Sequence, residues 1–443
     1  MPVCRALGRR LSAALLLLLA GCGGAPVAPV VLVTIDTLRA DHLGCYGYAR
    51  ATSPVLDAFA AAGTRFAEAR SQAPLTAPSH ASILTGTLPA WHQVLTNGDA
   101  LPADVETLPE RLQAAGWHTA GFVSNAVITH VVGFDQGFEH FDDTLPAREV
   151  NRPQSERLAT DTIDAAIAWL AAHRSERFFV WIHLEDPHGP YTPPAADAAP
   201  FLAEAAGLAP HPLPALADQS GASGIPQYQA LTGETDAHRY VARYDGEIHY
   251  VDREIGRLLD ALRGWGVAPL VVITGDHGEA LGEHDHWFAH GHGLTEDQLR
   301  VPLLVRGPGV PVGRVVARAV DTLDVVPTVL THARLAVPAE LRGHDLLADG
   351  APCRPTFAQA FPDAWAVVAE GRALLQSPAG TALYDLAGDP DETRDASVAD
   401  PAARARLLAL VADERARPAP QWTRRSAQGE LIVEQLRALG YLQ

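Results

Sequence analysis

The sequence predicts an α/β fold: a mostly parallel central sheet covered by helices on both faces, with a small subdomain at the C-terminal end. Three observations predict it. Val30 to Ile35, Phe178 to Ile182 and Leu270 to Thr274 are continuous runs of β-branched, aromatic and aliphatic residues, the pattern of strands buried on both faces of a parallel sheet. Segments with apolar residues at three and four spacing alternate with these runs, as a helix-covered sheet requires. Each run also stops at ligand-type residues: Asp36 after the first, His183 and Asp186 after the second, Asp276 and His277 after the third. Ligands of open α/β sheets bind outside the carboxyl ends of the strands, so these clusters are expected to converge.

Along the chain, Arg5, Arg9 and Arg10 precede the apolar stretch Leu11 to Ala20. This reads as a secretory signal over residues 1–21, because the stretch falls well short of the roughly 20 apolar residues that span a bilayer. Leu19-Ala20-Gly21-Cys22 resembles the bacterial lipobox, which implies cleavage before Cys22, lipidation of that cysteine and a membrane anchor. Gly23 follows it where inner-membrane retention has Asp, so the expected location is the periplasmic side of the outer membrane or the cell surface. After a linker over 22–29, the catalytic domain is expected to span 30–335. Its helices are expected at Val55 to Ala62, Leu108 to Ala115, Glu156 to His173 and Tyr240 to Leu262. Residues 192–226, rich in Pro, Ala and Gly, read as a surface loop insertion, either shaping substrate access or serving as a linker. Residues 336–443 read as a C-terminal subdomain packed on the main sheet. In the mature chain only Cys45 and Cys353 could pair, which is no disulfide scaffold.

The net charge of −18 becomes −21 once Arg5, Arg9 and Arg10 leave with the signal, and a chain this acidic is repelled by a phosphate backbone, which excludes nucleic acid as partner. All 34 basic residues are arginine, so no site on this chain can use a lysine.

Hydrolysis of a phosphate or sulfate ester needs a nucleophile, cations to offset the charge of the transferred group, and a route for the leaving oxygen. Bound metal ions supply the second and can activate the first, and Asp36, Asp276 and His277 are carboxylate and imidazole ligands of the required kind. Thr76-Ala77-Pro78-Ser79-His80 reads as a loop entering a helix, since Pro78 suits a first helical turn. Thr76 then stands at a helix N-terminus, where free N–H groups and the dipole favour an anion. Taken alone, Thr76 could equally be an N-cap.

Several motifs lift that ambiguity together. They are Asp36-Thr-Leu-Arg39 with Gly44-Cys-Tyr46-Gly47-Tyr48, Thr76-x-Pro78-Ser79-His80-Ala-Ser82 with Thr85-Gly86, Thr274-Gly275-Asp276-His277-Gly278-Glu279, His290-Gly291 leading to Arg300-Val301-Pro302, and Leu383-Tyr384-Asp385-Leu386 with Asp389-Pro390-x-Glu392. In this order they resemble the sulfatase family of the alkaline phosphatase-like superfamily. The resemblance implies that fold, a metal-dependent ester hydrolase, and a nucleophile at Thr76. It also implies one divalent metal on Asp36, Thr76, Asp276 and His277, and a second on Asp186, His188 and His290, the ions being zinc, manganese or calcium. With a single ion, His188 and His290 would instead contact substrate or protonate the leaving group. Asn97 would help hold the phosphoryl oxygens. Arg39 is read as support for Asp36 or a neighbouring carboxylate, and His183, His284 and His286 as ordinary polar residues.

Departures from the family pattern shape the chemistry. Formylglycine sulfatases need Cys or Ser followed by x-Pro-x-Arg, whereas this chain has Thr76 and His80; threonine cannot become the aldehyde hydrate. Thr37 replaces a second aspartate. A threonine nucleophile resembles the superfamily's phosphodiesterases and phosphoglycerol or phosphoethanolamine transferases. The expectation is therefore hydrolysis of a phosphate mono- or diester through a covalent Thr76 intermediate, on a small, glycan-linked or lipid-linked anionic substrate. The alternatives are a sulfate-ester hydrolase, a transferase if an alcohol replaces water, and an inactive lipid-anchored binding protein.

Overall fold

A computed structural model describes residues 27–148 and 155–417; the signal segment and Cys22 lie outside the described residues. Eight strands form the central sheet: β1 (Val30–Ile35), β2 (Thr64–Arg70), β3 (His118–Phe122), β4 (His140–Asp142), β5 (Phe178–Leu184), β6 (Leu270–Gly275), β7 (Arg300–Arg306) and β8 (Arg314–Asp321). Their spatial order is β8-β2-β7-β6-β1-β5-β3-β4. Every pairing is parallel except those of β7, which runs antiparallel to both neighbours. In the centre, Ile35 lies opposite Leu184 on one side and Gly275 on the other. Asp36, Glu185 and Asp276 therefore leave the sheet at one edge.

Period two explains why the apolar runs are continuous. Val30 and Leu32 belong to one core with Phe179, Trp181 and Val272, under helices α2 (Thr76–Thr85), α3 (Leu108–Ala114) and α7 (Val325–His332). Val31, Val33 and Ile35 belong to the other with Val180, Ile182 and Ile273, under α1 (Pro54–Ala61), α4 (Ala159–His173) and α6 (Ala237–Gly264). With each face of β1 packed, both sets of alternating side chains must be apolar.

Two local expectations are corrected. Residues 192–226 contain helix α5 (Ala195–Ala205), made by an alanine-rich stretch of high helix propensity whose Phe201 and Ala205 pack against Ala242 of α6. Helix α4 starts at Ala159 and not at Glu156, which pairs as a short strand. Beyond α7, β9 (Thr356–Ala360), β10 (Ala364–Ala369), β11 (Arg372–Ser377) and β12 (Gly380–Asp385) form an antiparallel meander. Its Phe357, Trp365, Val367 and Leu374 pack on Leu407 and Val411 of helix α8 (Pro401–Arg415) and on Leu88 and Leu323 of the main unit. Cys45 and Cys353 are free thiols.

His92 shows how burial couples the fold to pH. Its Nδ1 accepts from the Val94 N–H at 3.1 Å, so Nε2 carries the proton and faces Ser82 Oγ at 3.0 Å. Burial holds this imidazole neutral, with its pKa pushed down to about 3. An unfolded histidine, at about 6.5, takes up a proton that the native one refuses, so this contribution is present above that value and is lost as pH falls toward the folded value. Between about pH 7.5 and about pH 4.5 the native chain should lose about 2–3 kcal/mol more stability than His92→Gln. Urea unfolding at the two pH values measures it; parallel losses would mean that His92 is protonated in the folded protein.

Candidate active site

Asp36 and Asp276 follow directly on β1 and β6, and both are fully buried. Thr37 N–H and His277 N–H donate to Asp276 Oδ1 at 3.1 and 2.7 Å. Thr37 reaches that position with φ 53°, a left-handed conformation that costs a threonine of order 1–3 kcal/mol. The Tyr244 hydroxyl holds it there, donating to Thr37 O at 2.6 Å.

His277 Nδ1 faces Gly278 O at 2.9 Å and so carries the proton. Nε2 is left with its lone pair aimed at Asp36 Oδ1 and Asp276 Oδ2, 3.6 Å from each. Neither oxygen has a hydrogen-bond partner among the described residues. Burial raises the pKa of both carboxyls, Asp276 the further because Asp36 lies beside it. Burial, then the neighbouring His290, lowers His277 to about 3, so the imidazole is neutral. Two adjacent buried carboxylates, each with an unpartnered oxygen, and a neutral imidazole whose Nε2 faces both, with ligand atoms all within 4.8 Å of one another, fit a divalent cation, which would supply the charge that the pocket lacks.

Thr76 opens α2, and the residue before it, Leu75, offers no side-chain cap. Its Oγ1 lies 3.4 Å from Asp36 Oδ2 and 3.4 Å from His277 Nε2. It is thus the first helical residue and not the cap. The Ala77 N–H donates to Asn97 Oδ1 at 3.0 Å, which brings Asn97 to the helix start beside Thr76. Ser79 Oγ donates to Asp276 O at 2.6 Å, tying α2 to the end of β6.

The second ligand set does not assemble. His188 and His290 face each other with ring centroids 5.2 Å apart, and His290 lies 4.6 Å from His277. Asp186, however, is turned to the start of α4, where its Oδ2 accepts from the Ala159 N–H at 2.9 Å. Helix α4 starts there after Leu158, which cannot cap it, and Asp186 satisfies that otherwise free donor. Among the described residues, no metal-type cluster includes Asp186, His188 or His290. His290 is instead fixed by Glu279, whose Oε1 lies 3.0 Å from Nδ1 and whose Oε2 accepts from the Tyr191 hydroxyl at 2.9 Å. Burial pushes the Glu279 carboxyl up to about 8.

Other residues differ from their sequence reading. His183 is fully buried, with neither ring nitrogen hydrogen-bonded among the described residues and Nε2 3.6 Å from Asp36 Oδ2. His80 packs beside it, its nitrogens facing Thr76 O at 2.8 Å and Thr34 Oγ1 at 2.9 Å. Asn125, at the end of β3, donates to Asp36 Oδ2 and Glu185 Oε1 at 3.3 Å each. Period two along β5 puts His183 on the face of Trp181 under α2, a signal the sequence carried. Asn125 had no motif to mark it. Arg39 keeps its reading as support for neighbouring carboxylates: it pairs with Asp41 and Glu283 and donates to Glu279 O, with no hydrogen bond to Asp36 among the described residues.

Comparisons with known proteins show the family to which this fold belongs. A profile of the Sulfatase family matches residues 29–335. The chain is 28% identical over 370 residues to the Delta 4,5-hexuronate-2-O-sulfatase of Bacteroides thetaiotaomicron, covering 74% of this chain and 73% of that one. It is 26% identical over 377 residues to an arylsulfatase of Clostridium perfringens, covering 72% and 77%. Among solved structures, a protein in complex with its substrate D-glucosamine-2-N,6-O-disulfate superposes with TM-score 0.73 at 21% identity, over 88% of this chain and 98% of the other. The phosphonate monoester hydrolase of Agrobacterium radiobacter superposes with TM-score 0.72 at 22% identity, over 88% and 96%. The family match spans well over half of the chain and includes every group around Thr76, and so this protein belongs to the sulfatase family, as a hydrolase acting on sulfuric or phosphoric ester bonds.

Proposed function

We propose that this hydrolase cleaves a monoanionic ester, a phosphodiester ahead of a sulfate monoester, through a covalent ester on Thr76. The observation that carries the reading is the position of Thr76 Oγ1, 3.4 Å from both Asp36 Oδ2 and His277 Nε2 at the start of α2. A cation held by Asp36, Asp276 and His277 would lower the cost of deprotonating that hydroxyl and of gathering negative charge around it. Asp36 Oδ2 accepts the Thr76 proton as Oγ1 bonds to the central atom. Asn97, whose Oδ1 is held by the Ala77 N–H at the start of α2, turns its amide N–H groups to the equatorial oxygens. His290, oriented by Glu279, gives its proton to the departing oxygen, and water then cleaves the Thr76 ester at the central atom.

Two observations support phosphorus and a single negative charge. An aldehyde hydrate sheds its transferred group by breaking a C–O bond, which threonine cannot do, so the second step needs attack at the central atom. Asp186 is engaged at α4, and one cation suits a monoanion where a phosphomonoester dianion favours two. The sulfate reading is favoured by the relatives named as sulfatases. We also propose that Cys22, outside the described residues, carries a lipid that anchors the exported enzyme at a membrane.

Turnover of matched aryl esters by the purified enzyme with zinc, manganese or calcium separates these readings. The diester should show the highest kcat/KM. A sulfate ester in first place would overturn the phosphorus assignment, and a monoester in first place would mean that a second cation is bound.

A further inference from the structure

We propose that His284, Asp297 and Glu392 form a second divalent-cation site, sharing no residue with the group at Thr76, that ties the C-terminal sheet to the loop carrying His290. The three residues come from distant parts of the chain: His284 from the turn before the strand Trp287–Ala289, Asp297 from the short helix Glu296–Leu299, and Glu392 from the segment after β12. Each offers one ligand atom, and these atoms lie within 4.8 Å of one another.

Two of the three are deeply buried, Glu392 at 2% exposed and Asp297 at 9%. Both hold an oxygen with no hydrogen-bond partner among the described residues, Oε1 of Glu392 and Oδ1 of Asp297. Glu392 is not loose. Its Oε2 accepts from the Glu296 N–H at 2.6 Å, which fixes the carboxylate and leaves the other oxygen unsatisfied. Two buried carboxylates at this separation repel unless a cation or a proton lies between them.

The nearest guanidinium groups do not fill that role. Arg39 is spent on Asp41, Glu283 and Glu279 O, and Arg70 on Glu68 and Glu296. An imidazole with two carboxylates is the donor set of a borderline divalent ion such as zinc. His284, exposed, would let the ion in and leave positions for water. The consequence is mechanical: the Glu283–Asp285 turn leads through Trp287–Ala289 into His290, so a bound ion would brace that loop against the C-terminal meander.

The test titrates zinc into the metal-stripped, full-length protein in an Asp276→Asn background, which removes a carboxylate from the group at Thr76. Calorimetry and metal content after dialysis are the readouts, with the zinc-dependent rise in unfolding temperature as a third. One zinc equivalent should remain in Asp276→Asn. Either His284→Gly or Glu392→Gln should weaken it at least about tenfold and abolish the rise in unfolding temperature. His284→Gly keeps the test decisive if Glu392→Gln fails to fold, because the position is exposed and its φ of 51° is one that glycine adopts freely. No zinc bound in Asp276→Asn, or zinc binding unchanged by His284→Gly, would overturn the proposal and leave the two carboxylates sharing a proton.

Discussion

Thr76→Ala should lower kcat for the preferred ester by about 10³- to 10⁶-fold, the range seen when a covalent nucleophile is removed from an otherwise intact site. The protein should stay folded. Thr76 lies at the first position of α2, where its side chain caps nothing, since the Ala77 N–H is served by Asn97 and the Ser79 N–H by Leu75 O. The substitution removes the hydroxyl and one methyl group while leaving the helix start intact, so circular dichroism and the unfolding midpoint should change little. Turnover within about tenfold of wild type would mean that water, and not Thr76, attacks the ester.

Asp276→Asn should raise the cation concentration for half-maximal turnover at least about a hundredfold, and should do so without destabilising the cation-free protein. The two effects have opposite electrostatic origins. With a cation present, Asp276 supplies one of the two carboxylates that neutralise it. Without one, Asp36 and Asp276 lie side by side in a buried pocket that raises the pKa of both, and an amide of the same shape relieves that repulsion while its oxygen can still accept from Thr37 and His277 N–H. The cation-free variant should therefore unfold at or above the temperature of the cation-free wild type. A loss of several degrees would show that the pair is held together by a shared proton worth more than the repulsion.

The parts of this fold that were legible in the sequence are those governed by a single periodicity. The runs at 30–35, 178–182 and 270–274 needed only the rule that a strand packed on both faces is apolar throughout, and the ligand residues after them followed from where such strands end. Thr76 was placed by Pro78 and by the motif around it. What escaped was set by partners far away in sequence. Asp186 sits two residues before His188 and reads as its fellow ligand. Its carboxylate instead serves the free Ala159 N–H of α4, and only the packing of α4 beside β5 reveals that donor. His183 looked ordinary because period two shows only which face of the strand it lies on, and not that Asp36 and His80 are its neighbours there, where burial leaves its ring without a hydrogen-bond partner among the described residues. Residues 192–226 were read as a loop from their Pro, Ala and Gly together, whereas the alanines, clustered at 195–205, built α5.

The central claim, a covalent ester on Thr76, is tested most directly by stereochemistry. A phosphorothioate diester of one configuration, hydrolysed in heavy-oxygen water, reports how many in-line displacements occur at phosphorus, whether or not the intermediate accumulates. Attack by Thr76 followed by attack of water gives two inversions, so the account predicts net retention. Net inversion would mean a single displacement by water and would contradict it.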